Sequence, residues 1–201
     1  MKKLIKRREI PAGNPVSDNA LLDRLYRSRH IKNSQELDRT LQSMLNPNQL
    51  HGIQHAVDLL VDAYQQQQKI VIVGDFDADG ATSTALSVLA LRMLGFTDVE
   101  YLVPNRFEQG YGLSVPVAEM AMEKGVQLLM TVDNGVSSFE GVAYLKEQGV
   151  KVLITDHHLP PEILPNADAI VNPNLQQCDF PSKCLAGVGA VSYTHLRAHE
   201  T

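Results

Sequence analysis

The stretch Lys69-Ile-Val-Ile-Val-Gly-Asp-Phe-Asp-Ala-Asp-Gly80 decides how this chain reads. Its first half is a short apolar run rich in β-branched residues, as a buried strand requires. Carboxylates follow at Asp75, Asp77 and Asp79, and the pattern beyond them predicts a helix over about 81–94. Outward from this unit, four more runs share its character: Val99-Glu-Tyr-Leu-Val, Gln127-Leu-Leu-Met-Thr-Val, Lys151-Val-Leu-Ile-Thr and Ala169-Ile-Val. Helical segments at about 114–124 and 138–148 separate them. Gly95, Gly125 and Gly149 fall where helices should stop, the usual place of a glycine cap. Short buried strands alternating with amphipathic helices predict an α/β fold, a parallel sheet with helices on both faces, over residues 68–191.

Residues 18–67 read as a small helical N-terminal region with no convincing strand. Asn19-Ala-Leu-Leu-Asp-Arg-Leu-Tyr has helical spacing, and Ser34 is the candidate N-cap of a second helix. Asn46-Pro-Asn breaks the pattern, and a longer helix then carries Ile53, Ala56, Val57, Leu60 and Ala63 on one face. Residues 1–17 read as a basic arm. Five of the 18 Lys and Arg fall in the first eight residues, leaving 13 positives against 23 acids in the rest and a net charge of -5 overall. This run reads first as a solvated N-terminus; contact with a polyanion through counterion release is the alternative.

The composition, 44% hydrophobic and 20% charged, is that of a soluble globular chain and excludes collagen, coiled coil or disorder as its overall state. No window approaches the ~20 apolar residues of a membrane span, and no secretory signal is evident. We therefore expect no membrane partner and a cytoplasmic location. Cys178 and Cys184 are too few for a disulfide framework or a four-ligand structural zinc site, and read as free thiols in a reducing compartment.

In an open, Rossmann-like parallel sheet, ligands bind outside the carboxyl ends of the strands. Three such ends converge here: Asp75, Asp77 and Asp79; Asp133 in Thr131-Val-Asp-Asn-Gly; and Asp156-His157-His158. Crowded carboxylates repel one another unless a cation neutralises them or some stay protonated. Carboxylates with imidazoles suit Mn²⁺, and oxygen-rich sites also accept Mg²⁺. Two divalent ions sharing a carboxylate, roughly 3.5–4 Å apart, would use this many ligands and serve phosphoester hydrolysis. An EF-hand reading of Asp75-x-Asp77-x-Asp79-Gly80 fails, because position twelve is Leu86 and a strand precedes the loop. A dehalogenase-type phosphatase, with an Asp nucleophile, leaves Asp156-His157-His158 unexplained and stays a minor alternative.

Arg106 in Pro104-Asn-Arg-Phe is the candidate phosphate clamp, since a guanidinium matches phosphate with paired donors; a surface salt bridge is the alternative. Gly187 and Gly189 could let backbone amides approach a phosphate, or form a simple turn. Tyr111 or Phe107 could stack on a base, although Phe107 reads first as a core residue.

Asp156-His157-His158 after a strand, with Asp77-x-Asp79 and Asp133 upstream, resembles the DHH phosphoesterase superfamily. The longer stretches Val73–Leu86, Tyr101–Leu113, Thr131–Gly135, Asp156–Pro160, Asn172-Pro-Asn and Leu185-Ala-Gly-Val-Gly are similar to the bacterial RecJ single-strand exonucleases. The resemblance covers about residues 5–191. It implies 5′–3′ degradation of single-stranded DNA with Mn²⁺ or Mg²⁺, in recombination and mismatch repair. By the same resemblance, single-strand-binding protein and a helicase would be partners. It implies Asp77, Asp79, Asp133 and His157 as direct metal ligands, with Asp133 bridging. Asp75 would be a metal ligand or its support. Asp156 and His158, the candidate catalytic pair, would ligate the metal or stand directly behind its ligands, and His158 could also contact the scissile phosphate. A hydrolase of small nucleotides or pyrophosphate and a non-catalytic metal-binding remnant are the competing readings.

The resemblance stops at Val191. Family members continue with an apolar helix, a further strand-end Asp that completes the metal site, and DNA-gripping domains. Residues 192–201, Ser-Tyr-Thr-His-Leu-Arg-Ala-His-Glu-Thr, look instead like translated vector sequence on a truncated frame, and a disordered tail is expected. On this reading one metal ligand is missing and the chain would be a fragment with weak or no nuclease activity.

Overall fold

A computed structural model describes residue 6 and residues 9–200, and the structural statements below concern those residues. Apart from Lys6, the basic run lies outside them.

The chain divides at Leu45/Asn46 into two compact units. The N-terminal unit contains α1 (Ala20–Arg27) and 3-10 turns at Ser34–Leu37 and Leu41–Ser43. Asn19 caps α1 by accepting the N–H groups of Leu21 and Leu22. The second expected helix is only the turn Ser34–Leu37, and its cap is Asn33 rather than Ser34: the Asn33 amide oxygen accepts from Gln35 and Glu36. Asn and Ser are comparable N-caps, so position decided between them.

The second unit contains α2 (Ile53–Gln65), β1 (Ile70–Gly74), α3 (Ala78–Met93), β2 (Val99–Leu102), α4 (Val115–Glu123), β3 (Leu128–Val132), α5 (Phe139–Glu147), β4 (Lys151–Thr155), β5 (Ala169–Val171) and α6 (Gly187–His199). All five strands are parallel, in the order β2-β1-β3-β4-β5. Gly95, Gly125 and Gly149 take φ of +96°, +75° and +76° just past α3, α4 and α5, as left-handed helix caps do.

Side chains alternate across the sheet. Val71, Val73, Leu129, Val152 and Ile154 join α4 and α5 in one buried cluster. The intervening residues Ile70, Ile72, Leu128, Met130 and Leu153 are also buried, and α2, α3 and α6 pack together among the elements of this unit. The expected boundary at 67/68 therefore shifts. All five apolar residues of the α2 face are buried, and α2 packs on β5 and α6. An apolar stripe needs a surface to cover it, and the sheet unit provides one. Gly52 sits so close to the Ile170 carbonyl that a Cβ there would collide.

The expectation of a disordered tail is corrected as well. Residues 192–199 continue α6 without a break. Tyr193, Thr194 and His195 are buried, and the Tyr193 ring meets Phe180 edge to face at 5.2 Å. No Pro or Gly interrupts the helix after Gly189, and packing against α3 supplies the burial that stabilises it. No helix among the described residues is long and apolar enough to cross a membrane.

Candidate metal centre

The strand order changes direction between β1 and β3, which opens a crevice at their carboxyl ends. Asn134 ties the two strands there, its side-chain amide donating to the Val73 and Val132 carbonyls at 3.0 and 2.9 Å.

Asp75, at the end of β1, is buried and accepts the Phe76 N–H at 2.7 Å. Asp77 is the N-cap of α3 and accepts the Gly80 N–H at 2.9 Å. Asp79, in the first turn of α3, accepts the N–H groups of Gly187 and Val188, both at 2.8 Å. A carboxylate offers about four lone-pair sites, so each Asp79 oxygen keeps one for another partner.

Asp133 follows β3 with φ of +63°, a left-handed conformation that Asp enters more readily than most residues. Its N–H donates to the Thr155 carbonyl at 3.0 Å. The side chain is buried, Oδ1 accepts no hydrogen bond, and the ring Nε2 of His157 lies 3.1 Å from it. Burial first, then the Asp79 charge, pushes this carboxyl up to about 7, against the opposing pull of His157.

The His157 ring explains why that contact matters. Its Nδ1 lies 2.8 Å from the Leu185 carbonyl, which can only accept, so Nδ1 carries the proton. In the neutral ring Nε2 then points a lone pair at Asp133 Oδ1. Two lone pairs facing each other across 3.1 Å call for a cation between them. His158 is built in the same way. Its Nδ1 pairs with Asp156 Oδ1 at 2.7 Å, which leaves Nε2 for the site. The Asp156 hydrogen bond outweighs burial and raises the His158 pKa above its ordinary value.

Ligand atoms of Asp133, His157 and His158 lie within 4.8 Å of one another, and so do those of Asp75, Asp77 and Asp133. Asp133 belongs to both groups. Oxygen and imidazole donors, with one buried carboxylate shared between two clusters, fit a pair of ions such as Mn²⁺ or Mg²⁺. Asp79 lies alongside, its Oδ2 3.7 Å from His157 Nε2.

Several expected roles change. Asp156 is buried and both its oxygens are engaged: Oδ1 takes the His157 N–H, the His158 N–H and the His158 ring, and Oδ2 takes the Val136 N–H at 2.9 Å. Burial alone would raise its pKa, but these bonds hold it below the ordinary value. Its Oδ1 thus orients the His158 ring. The Gly187 amide, expected to meet a phosphate, is engaged by Asp79, and the Gly189 amide donates to the Ala186 carbonyl at 2.9 Å. Gly187 is needed for space, since a Cβ would run into the Asp133 carboxylate, and at Gly189 one would meet the Leu185 side chain. Phe107 is 92% exposed rather than core.

Arg106 is exposed and lays its guanidinium over the Phe76 ring at 4.3 Å. Tyr111 is half-exposed and meets His158 edge-on at 6.3 Å. Burial, then the charges of Asp75, Asp156 and Asp133, keep its hydroxyl protonated. Beside them opens a groove of about 490 Å³ lined by Tyr111, Ser137, Ser138, Glu140 and His158 among others. Asn172 and Asn174 escaped the residue-by-residue reading. Their side-chain amides donate to the His158 and His157 carbonyls and hold the His pair from behind. The signal was present as Asn172-Pro-Asn174 after β5.

The chain is similar to proteins named as exonucleases. It is 81% identical over 98% of its length to a protein of Haemophilus influenzae named single-stranded-DNA-specific exonuclease RecJ, and 53% identical over 96% to its namesake in Escherichia coli. It spans about a third of the length of these relatives, 34% of each. A crystal structure of exonuclease RecJ bound to manganese superposes on 78% of this chain and 40% of that one, with TM-score 0.71 and 36% identity. RecJ of Thermus thermophilus in complex with Mn²⁺ gives TM-score 0.70 and 32% identity, over 87% of this chain and 24% of that one. Residues 69–200, with the strand-end acids and the His pair described above and the segment after Val191 included, match the DHH family, N-terminal domain, and the chain belongs to the DHH family.

Proposed function

We propose that this chain carries the metal centre of a single-strand-specific 5′–3′ DNA exonuclease that hydrolyses phosphodiester bonds with two Mn²⁺ or Mg²⁺ ions. One observation carries the reading: the buried, donor-poor Asp133 Oδ1 faces the lone pair of His157 Nε2 at 3.1 Å, and Asp133 is shared by both ligand clusters. The likeness to RecJ of H. influenzae and E. coli supports single-stranded DNA as the substrate.

Asp133, His157 and His158 would hold one ion, and Asp75 and Asp77 with Asp133 the other, with Asp79 beside them. Bound divalent ions supply an activated water and stabilise the charge that develops on phosphorus. The chain's own residues bind and orient. Asp156 fixes the His158 tautomer, and Asn172 and Asn174 fix the backbone of the pair. Arg106 clamps a DNA phosphate at the rim, and the half-exposed Tyr111 ring offers a stacking face for a base. No side-chain nucleophile is required. By the same family likeness we assign the protein to recombination and mismatch repair in the bacterial cytoplasm, with single-strand-binding protein and a helicase as partners.

Titration with Mn²⁺ and a nuclease assay test this reading. We expect saturable Mn²⁺ binding by this chain, with weak or no nucleotide release on its own, and Mn²⁺-dependent release from a 5′-phosphorylated single-stranded oligonucleotide, not from a duplex, by a protein of the relatives' full length that contains it. Both should vanish in Asp133→Ala. No saturable binding, or release only from cyclic dinucleotides or pyrophosphate, would overturn it.

A further inference from the structure

Residues Leu185, Ala186, Gly187 and Val188 meet the candidate metal ligands at three separate points. The Leu185 carbonyl accepts from His157 Nδ1 at 2.8 Å. The Gly187 and Val188 N–H groups each donate to one oxygen of Asp79 at 2.8 Å. Gly187 also packs so closely on the Asp133 carboxylate that a Cβ has no room. The three ligands touched come from three different elements: the first turn of α3, the end of β3 and the end of β4.

We propose that residues 185–188 are a positioning strap for the metal centre, holding His157 in its Nδ1–H tautomer and fixing the Asp79 carboxylate beside Asp133. This rests on the metal-centre reading above and adds a role that none of the strap residues plays as a ligand.

The physical case has three parts. A carbonyl is an acceptor only, so the Leu185 contact allows one neutral tautomer of His157, the one that leaves Nε2 free to bind a cation. The two amides at the start of α6 face Asp79 with donors and with the positive end of the helix dipole, so the carboxylate is held in one orientation. Each oxygen still keeps a lone pair for a cation. At Gly187 the absence of a side chain leaves the space in front of Asp133 open. An α6 that leaves its place would therefore release all three ligands together. Metal binding and α6 docking are coupled through these contacts, and each favours the other.

The test uses the 201-residue chain and reads metal affinity and a spectroscopic signature, not activity. In the metal-free chain, ¹⁵N NMR of the histidine rings should show His157 as the Nδ1–H tautomer. Gly187→Ala should weaken Mn²⁺ binding at least about tenfold, in the range that supporting groups around metal ligands command, with the far-UV circular dichroism unchanged. The His157 ring signals should shift in the same variant. Val188→Pro removes one donor to Asp79 without placing a Cβ near Asp133, and should weaken binding by a smaller factor. Unchanged Mn²⁺ affinity in a folded Gly187→Ala, or an Nε2–H tautomer at His157 in the wild type, overturns the strap. If Gly187→Ala fails to fold, the wild-type tautomer and Val188→Pro decide. Absence of saturable Mn²⁺ binding by the wild type overturns the metal-centre reading itself. Normal wild-type binding with no response to the strap variants overturns the strap alone.

Discussion

The two edges of the sheet handle negative charge in opposite ways. At the amino edge three acids pair with lysines. Glu100 pairs with Lys69 at 2.6 Å and with Lys124 at 2.7 Å, Asp98 with Lys69 at 3.5 Å, and Asp168 with Lys146 at 2.6 Å. The Lys124 and Lys69 hydrogen bonds hold Glu100 down at about 2. At the carboxyl edge Asp75, Asp77, Asp79 and Asp133 have no Lys or Arg ion pair among the described residues; only His157 approaches. There burial and neighbouring acids raise Asp133 to about 7. The amino edge compensates its charge from within the chain, while the carboxyl edge keeps a deficit that fits an exogenous cation. Where acids lie in a fold thus says less about function than whether the chain supplies their counter-charges.

Four changes would break or sharpen this contrast. The largest effect is expected for Asp133→Ala, which removes the carboxylate common to both clusters. Mn²⁺ binding should fall below detection by calorimetry while the circular dichroism spectrum is retained; near-normal affinity would mean the carboxyl edge has no shared ion.

Asp156→Asn comes next. It removes the charge that orients His158 and should cost about 10–100-fold in Mn²⁺ affinity, the range for groups that support a ligating histidine. The pH dependence of Mn²⁺ binding should also shift, because His158 loses the partner that raises its pKa.

Protonation separates the edges more gently. In the metal-free folded chain Asp133 ionises near 7, whereas its ordinary value is 3.8. Below both values the group is protonated in either state and costs nothing. As pH rises between them the unfolded chain ionises first, so stability is lost across this window and levels off above it. The Tm of Asp133→Asn should therefore gain on that of the wild type from about pH 4 to 7 in EDTA, and added Mn²⁺ should close the gap. Glu100 has the opposite sign: its contribution is present above its ordinary 4.5 and lost as pH falls towards 2. A constant Tm difference across that same pH window would contradict the charge deficit at Asp133.

The smallest effect is expected at the amino edge. Lys146→Met breaks a partly exposed ion pair but leaves Asp168 with the Val152 N–H at 2.8 Å. Such pairs contribute at most about 1 kcal/mol, so Mn²⁺ affinity should not change and chemical denaturation should shift only slightly. A large loss of metal affinity would show that the two edges are not independent.

Much of this centre was legible because it depends on local order. A parallel sheet puts every strand end on one edge, so acids that follow β1, β3 and β4 in sequence had to gather. The buried face of α2, from Ile53 to Ala63, was equally plain, since helical period alone selects it. Other features depend on which distant groups meet. Asp156 looked like a site acid, but its oxygens are engaged by its neighbours and by Val136, 20 residues away in sequence. Gly187 looked like a phosphate turn, but its amide belongs to Asp79, 108 residues upstream. Residues 192–199 looked like appended vector sequence and so were expected to be disordered, yet they continue α6, which packs with α3.

The sequence by itself determined the five strands, their parallel class and the edge on which the carboxylates and histidines collect. These follow from periodicity and from the fixed polarity of a strand–helix–strand unit, both of which are short-range. Only the tertiary structure decided which carboxylate is left without donors, which nitrogen of His157 faces it, and which segment holds them there. Hydrogen-bond saturation is a property of all the groups that surround an atom. At Asp133, Asp79 and His157 those groups come from α3, β3, β4 and the start of α6, brought together only when the chain closes.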